Sequence, residues 1–108
     1  MAYKAVHRFA RISARKVRPL ADLIRGKYAD DALDLLKYQP ERGARMLEKV
    51  LKSALANAED RRAPKLGDLR VAEVCVDGGP MFKRMMPRSR GMATVILRRF
   101  SHIRVALE

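Results

Sequence analysis

The chain has 108 residues and carries 24 lysines and arginines against 12 aspartates and glutamates, which gives a formal net charge of +12. A hydrophobic content of 48% is typical of one globular domain with a modest core and argues against a disordered tail. The sequence has no run of eighteen apolar residues, no signal-peptide pattern at its start and a single cysteine, Cys75. It therefore predicts a cytosolic protein without internal disulfides or a zinc ion held by cysteines.

Positive charge is concentrated near both ends of the chain. Residues 1–27 hold eight basic side chains against one acid, a net of +7, and residues 78–108 hold seven against one, a net of +6. Residues 28–77 have a net charge of −1, and the segment 78–107 contains no carboxylate at all. Folded domains usually mix the two signs to limit self-repulsion, so this distribution predicts two contact regions for a polyanion on an electrically ordinary scaffold.

The first predicted elements are a strand and a helix. Apolar and polar residues alternate over residues 3–11, which indicates a short strand with its odd-numbered residues on one face. A helix over about residues 14–25 follows, with Ser13 as its N-cap and Gly26 just after its end. Because Pro19 lacks a backbone donor, we expect it to kink this helix or to shift its regular start toward Pro19 itself.

Two further helices are predicted in the middle of the chain. Asp30 and Asp31 suit the positive N-terminal end of a short helix that Pro40 terminates. A longer helix over about residues 41–59 has one apolar stripe and two acid–base pairs four residues apart. The stripe consists of Ala44, Leu47, Leu51, Ala54, Leu55 and Ala58, and the pairs are Glu41 with Arg45 and Glu48 with Lys52.

The remaining sequence predicts a long β-hairpin. After a loop at residues 61–68, apolar residues recur with a period of two, and a second such run covers residues 93–107. The Gly-Gly-Pro sequence at residues 78–80 indicates a break or bulge in the first strand. With a turn near residues 87–91, each strand holds about 15 residues and reaches ~50 Å at ~3.3 Å per residue. A domain of this size has a radius of gyration near ~13 Å, so the hairpin is expected to protrude.

These elements together predict an α+β fold in a single domain, residues 1–108. Three helices pack on a small antiparallel sheet in a compact body, about residues 1–78 and 95–108. A long protruding β-hairpin completes the fold, and its extended hairpin tip covers about residues 79–94.

The start of the first helix carries an unusual cluster of cations. Arg15, Lys16 and Arg18 lie in its first turns, where a positive charge opposes the helix dipole at a cost of ~0.3–1 kcal/mol each. Bound phosphates would reverse that cost, because the free N–H groups and the side chains would then share one anion. A solvated basic face screened by salt is the alternative. In combination with the basic hairpin, the cluster favours phosphate binding.

The hairpin combines cations with apolar side chains. Its lysines and arginines suit phosphate contacts, and Phe82 and the guanidinium planes suit stacking on unpaired bases. The cations of the carboxylate-free segment are Lys83, Arg84, Arg88, Arg90, Arg98, Arg99 and Arg104. Four of the six methionines are Met81, Met85, Met86 and Met92. These methionines either fill gaps in a core or adapt to an irregular surface of RNA or polypeptide.

Enzymatic and DNA-binding functions find less support. His7 and His102 are the only histidines, and the sequence shows no obvious arrangement for catalysis or metal ligation, so neither a metal nor a cofactor is expected. A basic nuclease needs a carboxylate cluster for Mg²⁺, which neither cationic region contains. A basic DNA-binding regulator with a helix-turn-helix is the alternative function, although its reading helix at residues 41–59 has a net charge of only +1.

Several ordered blocks of the sequence resemble a known family. They are Ser13-Ala-Arg-Lys-Val-Arg18, Ala21-Asp-Leu-Ile-Arg-Gly-Lys27, Glu48-Lys-Val-Leu-Lys-Ser-Ala-Leu-Ala-Asn-Ala58, Val76-Asp-Gly-Gly-Pro80, Lys83-Arg84, Pro87-Arg88, Gly91 and Ser101-His-Ile103. Over nearly its whole length the chain resembles the large-subunit L twenty-two family of bacterial ribosomal proteins. The resemblance implies a non-catalytic structural constituent of the large ribosomal subunit that binds and helps to assemble its RNA. It also implies a body on the subunit surface and a hairpin that lines the polypeptide exit tunnel.

The resemblance further implies site residues and partners. Expected contacts with ribosomal RNA come from Ser13, Arg15, Lys16, Arg18 and Lys27 in the body and from Lys83, Arg84, Arg88 and Arg90 in the hairpin, to which we add the basic pair Arg98 and Arg99. The expected tunnel-tip residues, which approach the nascent polypeptide, are Met85, Met86, Pro87, Arg88, Ser89 and Arg90. Neighbouring large-subunit proteins are further expected partners, whereas a membrane and a second copy of the chain are not.

Overall fold

The computed structural model describes residues 2–108 and contains three α-helices and three β-strands. In chain order they are β1 (Tyr3–Ala10), α1 (Ala14–Ile24), α2 (Ala29–Tyr38), α3 (Arg42–Asp60), β2 (Val71–Pro87) and β3 (Ala93–Leu107). Single turns of 3-10 helix lie at Leu66–Asp68 and Ser89–Gly91. The strands form one antiparallel sheet in the order β1-β3-β2, and the helices pack on it, so the predicted α+β class is confirmed.

The helices are held by the apolar faces that the sequence predicted. The buried residues of α1 are Val17, Leu20, Ala21 and Ile24, at helical spacing. Pro19 lies within α1, yet the helix is continuous from Ala14 to Ile24, so its start does not shift to Pro19. In α3 the predicted stripe faces the core, with Leu47 and Leu51 fully buried and Leu55 partly buried. Among residues 2–108, no helix is both long enough and apolar enough to cross a membrane.

An arginine side chain links α2 to α3. Arg45 Nη2 donates hydrogen bonds to the backbone carbonyl oxygens of Leu36, Lys37 and Gln39, at 2.9, 3.0 and 2.6 Å. The last carbonyl groups of a helix have no partner within the helix and need one from elsewhere. The guanidinium of Arg45 therefore closes the C-terminal end of α2 and fixes it against α3.

Glu48 is the acid at the centre of an ion-pair group on α3. Its side chain, 12% exposed, accepts hydrogen bonds from Arg45 Nη1 at 2.7 Å and from Lys52 Nζ at 3.2 Å. The hydrogen bond from Lys52 and the two positive charges hold the pKa of Glu48 below its ordinary value, although burial acts in the opposite direction. The predicted pairing of Glu48 with Lys52 is confirmed, whereas Arg45 pairs with Glu48 and not with Glu41.

Two bulges change the alternation of side chains along β2. An extra residue between Val71 and Glu73 moves the core-facing positions from odd to even numbers, so that Val74 follows Val71 in the core. The strictly alternating pattern predicted for this strand is wrong at that point. A second bulge at residues 78–81 confirms the predicted interruption by the Gly-Gly-Pro sequence.

A third bulge lies in β1, where the pairing with β3 shifts between His7 and Ala10. Phe9 adopts a positive φ of 58° there, and its side chain is exposed. Its backbone N–H donates to His102 Nδ1 at 3.0 Å, and the two rings meet edge to face at 5.0 Å. The prediction that Phe9 shares one face of the strand with the other odd-numbered residues is therefore wrong, because Tyr3 and Ala5 are buried and the extra residue turns Phe9 outward.

An arginine of α1 and the one just after its end cover the outer edge of β2. Arg18 donates from Nε and Nη2 to the carbonyl oxygen of Val76, at 3.3 and 3.2 Å, and Arg25 Nη2 donates to that of Val74 at 2.8 Å. An unpaired edge strand is a template for pairing with another chain. The two guanidinium groups block this edge within the body.

The strands β2 and β3 continue beyond the other elements as a long hairpin. Their pairing runs from Val71 with Leu107 to Pro87 with Ala93, and every residue from Pro80 to Val95 is exposed. The molecule measures 65 × 24 × 16 Å along its principal axes, and its radius of gyration is 16.9 Å. A compact domain of this length has a radius near ~13 Å. The elongated shape agrees with the protruding hairpin that the sequence predicted.

Candidate nucleic-acid interface

A groove of about 710 Å³ lies between the start of α1 and the base of the hairpin, and we call it the basic groove. Its lining residues are Arg11, Ile12, Ser13, Lys16, Arg42, Phe82, Arg84, Leu97, Arg98, Arg99 and Phe100. Six of these lining residues are cations and none is a carboxylate. The volume falls in the ~300–1,000 Å³ range of ligand-binding clefts. A cleft lined by one sign of charge concentrates ligands of the opposite sign, so the basic groove suits an anion.

One wall of the basic groove comes from the connection between β1 and α1 and from the start of α3. Arg42 is the first residue of α3 and donates a hydrogen bond to the backbone carbonyl of Arg11. A Cβ atom on the neighbouring Gly43 would lie 3.1 Å from Leu20 Cδ1 and 3.3 Å from Ile12 Cδ1. The absence of a side chain at residue 43 therefore allows α3 to approach α1 closely, which brings Arg42 to the groove.

The other wall belongs to the hairpin and contains two aromatic rings. Phe82 pairs with Arg98 across the strands, and its ring meets that of Phe100 edge to face, with centroids 5.2 Å apart. The guanidinium carbon of Arg84 lies 5.1 Å from the centroid of the Phe82 ring, which is a cation–π arrangement. Phe82 is nevertheless 49% exposed. This wall therefore offers an accessible aromatic surface among cations.

Gly79, in the second bulge of β2, makes a close contact with β3. A Cβ atom on Gly79 would lie 3.2 Å from both the carbonyl carbon and the carbonyl oxygen of Phe100. Because both are backbone atoms, they cannot move aside as the end of a flexible side chain can. Glycine at residue 79 thus permits the close approach of the two strands that form the hairpin wall.

The N-terminal end of α1 adds to the positive potential of the groove. Ser13 has the extended backbone of an N-cap, with φ −73° and ψ 148°, but its side chain makes no capping hydrogen bond. The first turn of α1 contains no acid, whereas α2 begins with Asp30 and Asp31. The helix dipole and the charge of Lys16 therefore reinforce each other at the groove.

The basic groove contains five of the predicted RNA-contact residues, namely Ser13, Lys16, Arg84, Arg98 and Arg99. Arg15 and Lys27 are exposed but lie outside the lining of the groove. Arg18 donates to the Val76 carbonyl and thereby holds the edge of β2. The predicted body residues therefore divide into a groove set, an exposed set and one arginine with an internal partner.

The other predicted residues lie along the hairpin tip. Lys83 and all of residues 85–90 are exposed. Arg88 Nε donates to Thr94 Oγ1 at 3.2 Å, across the end of the hairpin. Arg90 has a left-handed backbone, with φ 62° and ψ 31°, in the turn that joins the strands. The exposed side chains of this tip are accessible to a partner.

Two cations of the basic groove, Arg11 and Arg42, were not predicted as site residues. The excess of bases over acids in residues 1–27 was the available signal for Arg11. Arg42 belongs to a helix with nearly balanced charge, and no sequence spacing relates it to the hairpin. Packing of α3 against α1 places it in the groove, and a local pattern does not encode that contact.

Arg104 lies on the face of the sheet opposite the helices and differs from the groove cations. Its Nη2 is 3.1 Å from Glu73 Oε1 and 3.4 Å from Cys75 Sγ. A hydrogen bond from the Cys75 thiol and the charge of Arg104 lower the pKa of Glu73, and the thiol and the carboxylate raise the pKa of Arg104. Within residues 2–108, no group of three or more histidine, cysteine or acidic side chains is placed to hold a metal ion.

Comparisons with known proteins extend this description. The family model described as Ribosomal protein L22p/L17e matches residues 5–108. The chain belongs to this family. A relative from Rhodopirellula baltica, the large ribosomal subunit protein uL22, is 60% identical over 110 aligned positions, which cover 97% of this chain and 92% of the relative. The protein of the same name from Caldicellulosiruptor saccharolyticus is 51% identical over 104 positions, which cover 96% of this chain and 85% of the relative.

Membership in the L22p/L17e family confirms the resemblance that the sequence blocks carried. It makes the chain a structural and non-enzymatic component of the ribosome, which places it in the cytoplasm as part of that particle. The enzymatic alternatives, including a basic nuclease, are thereby excluded.

Proposed function

We propose that this protein is a structural constituent of the large ribosomal subunit that binds large-subunit ribosomal RNA and helps to assemble and stabilise it. The observation that supports RNA binding most strongly is the basic groove, where cations from three separate segments converge and no carboxylate lies among the lining residues. The two relatives named large ribosomal subunit proteins support the choice of subunit. The partners are this RNA, neighbouring large-subunit proteins and the nascent polypeptide, without a membrane, a cofactor or a second copy of the chain.

In this proposal the single domain has two parts with different tasks. The body, residues 1–78 and 95–108, anchors on the RNA surface by phosphate contacts. The hairpin tip, residues 79–94, inserts between RNA helices, where its cations neutralise crowded phosphates. The basic groove lies where the two parts meet, so an RNA segment bound there is held by both. The proposed contacts are Ser13, Arg15, Lys16, Arg18, Lys27, Lys83, Arg84, Arg88, Arg90, Arg98 and Arg99.

We further propose that the hairpin tip lines the polypeptide exit tunnel. Its exposed apolar side chains support a partner other than RNA alone, since Met85 is 67% exposed and Met92 is 69% exposed. Flexible thioether side chains adapt to changing surfaces, which suits a passing polypeptide. The 65 Å length of the molecule lets the turn lie far from the surface that the body contacts. Residues 85–90, at the turn, approach the nascent chain.

The proposal is tested by replacing Lys83, Arg84, Arg88 and Arg90 with alanine and measuring incorporation into large subunits by sedimentation. We expect the variant to keep the circular dichroism of the body but to incorporate poorly or to be removed by a moderate salt wash. The matched control replaces four exposed cations outside the groove and the tip, namely Lys37, Lys49, Arg61 and Lys65, and should incorporate normally. Normal incorporation of the hairpin variant at physiological salt would contradict the proposal.

Duplex DNA is the competing partner. In a DNA-binding regulator with a helix-turn-helix, α3 would be the helix that enters the DNA groove. Two of its four cations, Arg45 and Lys52, are already paired with Glu48. A groove-reading helix needs its cations for phosphates. We therefore expect tighter binding to structured large-subunit RNA than to duplex DNA of equal length at physiological salt, and the reverse preference would favour the DNA-binding alternative.

A further inference from the structure

Phosphate binding explains the cations of the basic groove but not its aromatic ring. Phe82 is 49% exposed at the edge of the cleft, with the Phe100 ring against it at 5.2 Å. An exposed phenylalanine loses the free energy that burial would contribute, unless a partner covers it. A flat, apolar surface surrounded by cations is the arrangement on which single-stranded nucleic acids stack their bases.

The cation–π contact between Arg84 and Phe82 also supports the stacking of a base on this ring. Arg84 covers one side of the ring at 5.1 Å, yet its guanidinium contributes a charge that the groove also needs for phosphate. A base has a flat face that can take the place of the guanidinium on the ring. When a base stacks on Phe82, the Arg84 guanidinium is released toward a neighbouring phosphate. The Phe82 ring is then covered by the base, and Arg84 is paired with the phosphate.

The two walls of the groove are arranged for a base with phosphates on either side. Arg11, Lys16 and Arg42 line the body wall, and Arg98 and Arg99 line the hairpin wall beside Arg84. An acidic peptide would pair with these cations but would leave the ring uncovered. A paired RNA helix would also leave it uncovered, because base faces are accessible only where bases are unstacked.

We propose that the basic groove receives one unpaired nucleotide of ribosomal RNA, with its base stacked on Phe82 and its flanking phosphates held by the cations of both walls. This inference rests on the proposed binding of ribosomal RNA. It adds that the bound segment contains a base outside the helical stack. The Ser13 hydroxyl, which makes no capping bond, lines the same groove and is available to the ribose or a phosphate.

The experiment compares two probes of equal charge. The full-length protein is titrated at low salt with a short oligoadenylate RNA and with an abasic ribose-phosphate oligomer of the same length. We expect roughly tenfold tighter binding of the oligoadenylate, the effect of about one stacked base. A 2-aminopurine placed in the RNA should lose fluorescence on binding, because stacking on an aromatic ring quenches it.

The variant Phe82→Leu keeps an apolar side chain at an exposed position, so the fold should be retained. We expect it to bind the oligoadenylate no more tightly than the abasic oligomer, so that the tenfold preference for bases is lost. The matched control is Tyr38→Leu, which removes an aromatic ring that is 86% exposed and lies outside the groove, and it should keep the tenfold preference.

The experiment distinguishes failure of the nucleotide inference from failure of the proposed RNA binding. If the native protein binds both oligomers with equal affinity, the nucleotide inference is wrong while phosphate binding stands. If Phe82→Leu keeps the preference for bases, the assignment of stacking to Phe82 is wrong. If neither oligomer binds even at low salt, the proposed RNA binding itself is overturned.

Discussion

The body and the hairpin tip share strands β2 and β3 but differ in what their basic side chains contact. In the body, three arginines donate to backbone carbonyl groups: Arg18 and Arg25 at the edge of β2, and Arg45 at the end of α2. In the hairpin tip, Lys83 and Arg90 are exposed in a segment without a single carboxylate. Several arginines of the body therefore have hydrogen-bond partners within the fold, whereas the cations of the hairpin tip have no carboxylate in their own segment.

The two regions differ in the same way in their apolar surface. The body encloses its large side chains, and Leu51 and Ile103 are 0% exposed, while Met85 and Val95 in and beside the hairpin tip are 67% and 52% exposed. A two-stranded ribbon without a packed face is only marginally stable in water. Strands β2 and β3 therefore belong to the packed core at one end and are exposed to solvent on both faces at the other.

Amide hydrogen exchange of the free protein should show the largest difference between the regions. We expect amides near residues 103–107, in the central strand, to exchange only through global unfolding, at a free energy on the order of 5 kcal/mol or more. Amides of residues 82–90 should exchange rapidly, with a protection free energy near zero. Strong protection across residues 82–90 would contradict this expectation, because the tip would then be ordered without a partner.

Truncation of one apolar side chain in each region should give the next largest effect. Leu51→Ala removes a fully buried side chain from α3 and should lower the free energy of unfolding by about 2–5 kcal/mol. Met85→Ala removes an exposed one and should change it by less than about 0.5 kcal/mol. Urea unfolding followed by circular dichroism measures both, and similar losses would show that the tip packs as part of the core.

The smallest expected effect comes from the ion pairs of Glu48. Glu48→Gln should lower the free energy of unfolding at pH 7 by about 1 kcal/mol, because Arg45 and Lys52 lose the carboxylate between them. The exposed Glu41→Gln is the control and should have a smaller effect, since the Glu41 side chain makes no capping bond and only the helix dipole favours its charge.

The pH dependence of this effect has a definite sign. The hydrogen bond from Lys52 and the nearby cations lower the pKa of Glu48 in the folded protein below the ordinary value of 4.5. A lowered pKa contributes stability that is present above the unfolded value and is lost as the pH falls through the folded one. The difference between the native protein and Glu48→Gln should therefore shrink below pH 4.5, and a difference that grows in acid would contradict the assignment.

The helices could be predicted closely because their signals are local. Apolar spacing and the flanking Ser13 and Gly26 predicted a helix at about residues 14–25, and the structure has it at Ala14–Ile24. The Gly-Gly-Pro sequence predicted the bulge at residues 78–81, but the bulges after Val71 and after His7 have no such signal, because one inserted residue does not change the residue types. The reversal of phase after Val71 in β2 is the result, and it puts Val74 in the core.

The hairpin cations of the candidate site could be predicted from the sequence, but their arrangement in space could not. The charges of Arg84, Arg98 and Arg99 are read directly from a segment without carboxylates. Their convergence with Arg42 depends on the packing of α3 against α1, which includes the small residue at position 43. Sequence patterns therefore identified the cations of the hairpin but not the groove that gathers them.

The central claim is that the cations of the hairpin bind phosphate groups of RNA. The most direct test is to measure how the RNA affinity depends on salt concentration. We expect a steep linear fall of the logarithm of the association constant for structured large-subunit RNA with the logarithm of salt concentration. Each phosphate contact contributes a slope of about 0.7–0.9, so alanine at Lys83, Arg84, Arg88 and Arg90 should reduce the slope by about 3. An unchanged slope in that variant would contradict the account.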